Sequence, residues 1–523
     1  MSGNVHTNAS SWAETPLERV SPNQVGLDVK KLAELYQFLA RPDMGLHSFM
    51  ILRHGKVACE GFWAPYAPEK PHTLFSASKT FTGLAVGFAV QEGKLSLEDR
   101  VVDWFPERLP SKHCENMEKM KVKHLLTMST GFAKDPHDFP WPRPDDVLAT
   151  GPHCCHQGVE LPQIDWVRNF FNHYVAYEPG TEFVYCTHGT YMLSVIVQKA
   201  VGETVSQYLN RKLFTPMGIS NPSWETGPDG YSVGGWGLML TTEQLAKVGQ
   251  MMLDGGRWEG KEILSPHWIK DATSVHVTME HLDEPHIAGY GYQMWIDRRE
   301  GCYLFRGAFG QICAVIPGKD MVIAYTGGSD SQARRDAWEK IWELAVESAG
   351  TENLSTGEDD ELKDVLASLS IPTAQGRPSW QVPEAAQWSG KVYVFGDNRL
   401  NFSKFSMTFA QQAGQPDFLT LGLAGESFTV PVGYRTWLRG KTCVKTEQTD
   451  TDVSIIFEHV SCSGAWENNT YHLVMCFDET SYINTISVTF LPGGVLIQHR
   501  RNCTFFSAVN ADLTGVELPE KAQ

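Results

Sequence analysis

The sequence lacks any excess of positive charge: 44 Lys and Arg stand against 61 Asp and Glu, a formal net charge of −17 over 523 residues. Binding to nucleic acid or to an anionic membrane surface needs a basic face, so neither partner is expected. Long apolar runs are missing too. The stretch Leu84–Val90, interrupted by Gly87, falls far short of the roughly 20 residues that span a bilayer. Cysteines are few and odd in number, 11 in all, which argues against a disulfide-stapled scaffold. The opening segment MSGNVHTNASSWAETPLERV has no basic n-region and no apolar h-region. It therefore predicts no secretory signal and a cytoplasmic protein with reduced thiols.

What is present is ample core material. Hydrophobic residues make up 42% of the chain, which excludes a mostly disordered protein. Single cores stop growing at roughly 250–300 residues, so more than one domain is expected. Asp28 can cap a helix running through Leu32, Leu35 and Phe38. Ser48–Arg53 and Lys56–Phe62 alternate around His54-Gly55, a hairpin signature. Helical patterns follow, after Phe75 and at Val122–Met128, Thr190–Leu209 and Thr242–Leu253, with Gly93 and Gly202 at C-cap positions. Strand patterns return at Cys302–Arg306, Gln311–Ile316 and Met321–Thr326, before a closing helix over Ala333–Ser348. Strands at both ends with helices between predict an α+β domain, an antiparallel sheet from both termini with an inserted helical lobe.

Residues 351–370 carry six acidic residues against one lysine, and a Pro-containing stretch runs to Pro383. The chain is thus divided into a tail (1–20), a first domain (21–350), a linker (351–383) and a β-rich domain (384–523). In the last, Lys391–Phe395, Asn401–Phe409, Phe418–Leu423, Val453–His459, Tyr471–Phe477, Ile483–Phe490 and Gly494–His499 read as strands of an all-β sandwich or barrel.

Three features of the first domain carry chemistry. In Ser76-Ala77-Ser78-Lys79 the lysine lies at i+3, on the same helix face as Ser76. A serine is a poor nucleophile until a base takes its proton, and lysine serves only if burial and the helix N-terminus lower its pKa. Most S-x-x-K matches are merely solvated helix faces, so context has to decide. The second feature, Tyr185-Cys186-Thr187, offers a phenol that can shuttle protons beside a lysine, or simply an anchored loop. In the third, Phe305-Arg306-Gly307-Ala308-Phe309-Gly310-Gln311, a strand meets a glycine-rich turn whose edge N–H suits an oxyanion, or which is an ordinary hairpin.

In this order the three resemble the serine β-lactamase and penicillin-binding-protein superfamily. The nearest branch is the class C β-lactamase-related group of esterases, D-aminopeptidases and 6-aminohexanoate-dimer hydrolases. Further landmarks over residues 20–345 agree: His124-Leu125-Leu126-Thr127-Met128-Ser129-Thr130-Gly131, Pro179-Gly180-Thr181, Pro216-Met217-Gly218, Gly234-Gly235 and Gly289-Tyr290-Gly291-Tyr292. The resemblance implies that Ser76 is acylated, that Lys79 accepts its proton and that Tyr185 serves the leaving group and then water. It places the oxyanion between the N–H groups of Ser76 and Ala308, with Thr187, Arg306, Gly307 and Phe309 lining the substrate. No cofactor and no metal are implied. Phe305-Arg306-Gly307 stands where β-lactamases have Lys-Thr-Gly, so the lysine that helps hold a β-lactam carboxylate is missing. Arg306 either binds an anionic substrate group or pairs with a nearby carboxylate.

Other motifs compete. Gly230-Tyr231-Ser232-Val233-Gly234 matches a nucleophile elbow, but a loop precedes it where a buried strand is required. His153-Cys154-Cys155-His156 suggests metal, without a second pair at zinc spacing. His281 and His286 read as solvated, and Trp141 sits in a Pro-rich insertion. The sequence thus predicts a serine hydrolase of small esters or amides, weak at most on β-lactams. Alternatives are a D-aminopeptidase or true β-lactamase of the same fold, or a non-catalytic binding protein using the C-terminal domain. Homo-oligomerisation is left open.

Overall fold

In the computed structural model of the protein the described residues are 15–111, 113–134, 165–227, 229–279, 284–350, 360–398, 400–423, 425–445, 456–505 and 510–519. Helix α1 (Val29–Leu39) starts where Asp28 accepts from the amides of Lys30 and Lys31, and it buries Leu32, Leu35, Tyr36 and Leu39. Strands β1 (Leu46–Arg53) and β2 (Lys56–Phe62) form the expected hairpin, with His54 and Gly55 both at positive φ as a two-residue turn requires.

The other strands of this sheet come from the far end of the domain. They are β3 (Val277–Thr278), β4 (Ile287–Tyr290), β5 (Trp295–Asp297), β6 (Tyr303–Gly307), β7 (Gln311–Ile316) and β8 (Met321–Gly327). The sheet runs β2-β1-β8-β7-β6-β5-β4-β3, antiparallel throughout, with Ile51 opposite Ile323 joining the two ends. Strands β1, β7 and β8 are buried along their whole length, because helices cover both faces. Phe49 packs on Tyr36 of α1, ring centroids 5.6 Å apart. Its neighbour Ser48 points the other way, 2.6 Å from the Thr242 hydroxyl. The lobe between holds α2 (Ser78–Gln91), α3 (Thr187–Val201) and α4 (Thr242–Leu253), and α5 (Ser331–Ile341) follows β8.

From Asp360 onward the linker is more than a spacer. Residues of α6 (Asp360–Ser368) pack back on the first domain: Gln37 donates to Glu361 at 2.6 Å, and Ile371 N–H donates to Ala64 O at 2.8 Å. Leu362 and Leu369 are buried while the acidic side chains stay outside, so leucine spacing outweighs net charge. The buried thiols of Cys59, Cys302, Cys313, Cys462 and Cys476 are not in disulfides, and burial pushes Cys59 up to about 12. Among the described residues no helix is long and apolar enough to cross a membrane.

The C-terminal domain resolves the choice between sandwich and barrel. Its strands are β9 (Val392–Val394), β10 (Phe402–Thr408), β11 (Asp417–Leu423), β12 (Glu426–Val432), β13 (Leu438–Lys445), β14 (Ile456–Glu467), β15 (Thr470–Cys476), β16 (Ile483–Leu491), β17 (Gly494–Arg501) and β18 (Ala511–Glu517). They form one antiparallel sheet ordered β12-β11-β10-β9-β18-β17-β16-β15-β14-β13. The end strands β12 and β13 lie side by side, Gly440 leaving only 2.6 Å between an added Cβ and Val430 Cγ1. Closure is nearly complete, which leaves little free edge. Inside, Asp417 accepts from Ser379, Tyr471 and the Ala410 amide, and burial raises its pKa.

The turn between β15 and β16 joins the domains. Asp478, fully buried, binds Lys70 of the first domain together with Arg439 and Ser461 of the barrel. Breaking a buried ion pair leaves its partners uncompensated. Asp478→Ala is expected to cost about 3 kcal/mol, read as a loss of stability in urea unfolding; an unchanged midpoint would show that the ion pair contributes nothing.

Candidate active site

The centre is assembled at the seam between sheet and lobe. A short strand, His72–Thr73, pairs with Leu238–Leu240, and the Leu74 amide continues the ladder to Leu238 O at 2.9 Å. The chain then enters a 3-10 turn, Phe75–Ala77, that leads into α2. Phe75 takes the left-handed backbone conformation, φ 45°. Ser76 is partly exposed, while Lys79, one turn on, is 1% exposed. Lys79 Nζ lies 3.0 Å from Ser76 Oγ and donates to Gly235 O at 2.8 Å. The spacing read from S-x-x-K has therefore put both groups on one helix face.

Tyr185 stands at the entrance to α3. Its segment is held by the His124–Gly131 stretch: Val184 N–H donates to Met128 O at 2.8 Å, and Cys186 N–H to Met128 Sδ at 3.1 Å. Lys79 Nζ sits 5.0 Å from the centre of the Tyr185 ring, and Trp295 of β5 stacks on the same ring at 5.8 Å. Thr187, the first residue of α3, presses its methyl on Gly235. A Cβ there would come within 2.8 Å of Thr187 Cγ2, so glycine is needed for closeness alone.

The third motif reaches the Ser76 turn from the sheet. A Cβ on Gly307 would lie 2.2 Å from Leu74 O and 3.2 Å from the Ala77 amide, so the end of β6 rests directly on the turn bearing Ser76. Ala308 follows, partly exposed. Phe309 has φ 62° and is buried. Left-handed backbone at such bulky residues costs on the order of 1–3 kcal/mol each. Gln311, fully buried, donates to Ala308 O, Gly327 O and Ser481 Oγ, each at 2.9 Å. Arg306 donates to Glu284 at 2.6 Å and lies 5.0 Å over the Trp295 ring. Of the two partners considered for Arg306, the geometry supplies the carboxylate.

Ser76, Lys79, Tyr185 and Thr187 thus meet, and Gly307 brings Ala308 to them. Phe309 instead turns toward Phe75, Tyr482 and Phe505, at 5.3, 6.1 and 4.6 Å between centroids. Sequence reasoning missed Trp295, Gln311, Glu225 and Tyr482. Only Gln311 carried a local signal, as the last residue of the glycine-rich motif. Ser232 is buried and bonded to Ser206, Gln198 and Ser194, which makes it a structural residue of the lobe. His286 is partly exposed beside Glu339. Trp141, His281 and His153-Cys154-Cys155-His156 lie outside the described residues, among which no three His, Cys, Asp or Glu are placed for a metal.

One carboxyl of the centre is unusual. Glu225 accepts from Trp236 Nε1 at 3.1 Å, and burial pushes it up to about 7. Its charge also helps burial raise the Tyr482 phenol, which places it toward the barrel.

A serine-and-lysine pair at a helix start, a tyrosine beside it and a strand end closing over it fit one class: a hydrolase fold of the β-lactamase type. The Beta-lactamase family model matches residues 37–346, and the chain belongs to that family. It is 27% identical over 289 residues to the 6-aminohexanoate-dimer hydrolase of Paenarthrobacter ureafaciens, covering 53% of this chain and 71% of that protein. To the beta-lactamase of Escherichia coli K12 it is 27% identical over 164 residues, covering 31% of this chain and only 37% of that protein. The octameric penicillin-binding protein homologue of Pyrococcus abyssi superposes with a TM-score of 0.48 at 18% identity, over 94% of this chain and 100% of that one.

Two outcomes follow from this geometry. Gly307→Val forces β6 off the nucleophile turn and should lower turnover by about 100-fold; wild-type rates would show that the close approach is dispensable. Glu225, neutral when folded up to about pH 7 but ionised when unfolded above about 4.5, makes stability fall as pH rises across that window. Glu225→Gln should flatten the decline between pH 5 and 7 in urea titrations, and an unchanged slope would assign it elsewhere.

Proposed function

We propose that the protein is a serine hydrolase that acts on small ester or amide substrates through an acyl-enzyme at Ser76. The observation that carries this is the 3.0 Å contact of Ser76 Oγ with a buried Lys79 Nζ. Lys79 takes the serine proton as Oγ bonds to the substrate carbonyl carbon. The oxyanion is received by the N–H groups of Ser76 and Ala308, whose donors are held in advance by the helix start and the Gly307 contact. As the tetrahedral species collapses, the bond to the leaving group breaks and Tyr185, beside Lys79, delivers its proton. Water then repeats the sequence: its proton goes to the same pair, it attacks the acyl carbon, and Ser76 leaves with a proton.

Ester and amide substrates are favoured over β-lactams by the third motif. Phe305 stands where β-lactamases have the lysine, and the neighbouring cation, Arg306, is engaged by Glu284, so the partner that a β-lactam carboxylate would use is missing.

Incubation with a fluorophosphonate probe should phosphonylate Ser76, identified by peptide mass spectrometry, and Ser76→Ala should abolish the label. Lys79→Ala and Tyr185→Phe are each expected to slow hydrolysis of p-nitrophenyl acetate by 10²–10⁴-fold. Labelling of any other serine, or activity surviving Ser76→Ala, would refute the mechanism.

A further inference from the structure

The barrel lies outside the residues matched by the family, yet it reaches the reacting groups. Phe75 precedes Ser76 and Phe309 follows Ala308; both are left-handed, and both have their rings set in the barrel's apolar cluster. Phe75 meets Tyr482 at 6.1 Å and Phe505 at 6.0 Å, and Phe309 meets Tyr482 at 6.1 Å and Phe505 at 4.6 Å. Each ring contact is edge-on or tilted, the arrangement aromatic pairs favour.

Hydrogen bonds from the same turn act on the same two segments. Glu479 O accepts from Thr73 N–H at 2.9 Å, three residues before the nucleophile. Ser481 accepts from Gln311 and donates to Gly327 O at 2.6 Å, so the amide that clasps the Ala308 carbonyl is itself fastened to the barrel. Asn502 completes the joint, donating to Gly328 O at 2.7 Å and to Ser481 O at 2.9 Å. Gln311 and Ser481 are both fully buried, so neither can exchange these partners for water.

We propose that the C-terminal barrel is a working part of the catalytic centre, in which Ser481 and Tyr482 are positioning residues that hold the Ser76 turn and the Ala308 amide in register. The role rests on the assignment of Ser76 and Ala308 made above. A peptide plane twisted into the left-handed region relaxes unless its surroundings over-determine it. Here Tyr482 and Phe505 fill the space into which Phe75 and Phe309 would turn. The barrel thus acts through the backbone of its neighbours, without touching the substrate carbonyl itself.

The full-length chain tests this with Tyr482→Ala, Ser481→Ala and the conservative Tyr482→Phe, against Phe418→Ala, an exposed barrel residue that makes none of these contacts. The readouts are the rate of Ser76 phosphonylation and the kcat and KM for p-nitrophenyl acetate. Both alanine variants at the turn should slow labelling and kcat by roughly 10–100-fold with KM within about twofold. Tyr482→Phe, which keeps the ring, and Phe418→Ala should stay near wild type. Where Tyr482→Ala does not fold, Phe505→Ala reads the same contact from a half-exposed side chain. Wild-type labelling rates in the alanine variants, or a loss confined to KM, would overturn the positioning role while leaving the nucleophile intact. Absence of label on Ser76 in the wild type would instead remove the assignment beneath it.

Discussion

A contact between two backbones orders this centre. Gly307 rests on the Leu74 carbonyl and the Ala77 amide with no space for a side chain, and so brings the end of a sheet strand onto the turn that carries Ser76. The lobe contributes Ser76, Lys79, Tyr185 and Thr187 from one side; the sheet contributes Arg306, Ala308 and Trp295 from the other. Each half is stiff for its own reason. Lys79 is locked between Ser76 and Gly235, and β6 is locked by its pairing with β7. Preorganisation of this kind lets donors be in place before charge develops.

Stability is conceded at the same place. Phe75 and Phe309 occupy a backbone region that suits glycine, and partial burial raises the pKa of the Glu225 carboxyl. Such departures cluster where function needs geometry that local preference would not select. The compensation comes from elsewhere in the chain: the aromatic faces of Tyr482 and Phe505, the Gln311–Ser481 bonds, and the buried Asp478 with its two cations. Catalytic domain and barrel therefore meet at the centre as well as at the periphery.

Much of this was legible locally. The His54-Gly55 turn, the Asp28 cap, the apolar runs of β1, β7 and β8, and the one-turn spacing of Ser76 and Lys79 all follow from periods of two or 3.6 residues. Strands β12, β13 and β18 escaped because their patterns are weak. Pro431 is tolerated in β12, which ends the sheet, Gly440 interrupts β13, and β18 alternates with few large apolar residues. Helix α6 escaped because it is short and follows an acidic run, although its leucines keep helical spacing. Arg306 had two reasonable partners, and no feature near it in sequence pointed to Glu284, 22 residues away.

The sequence by itself determined the succession of elements, the pairing of a serine with a lysine one turn on, and the order of the three motifs. These depend on the covalent spacing of residues and on which side of a helix or strand they fall. The tertiary structure alone decided that Tyr185 and Trp295 stack beside Lys79, that Gly307 touches the nucleophile turn, that the last domain closes into a barrel, and that its β15–β16 turn holds the motif residues. Contacts between segments more than 100 residues apart arise from the fit of whole surfaces, and that fit has no period along the chain.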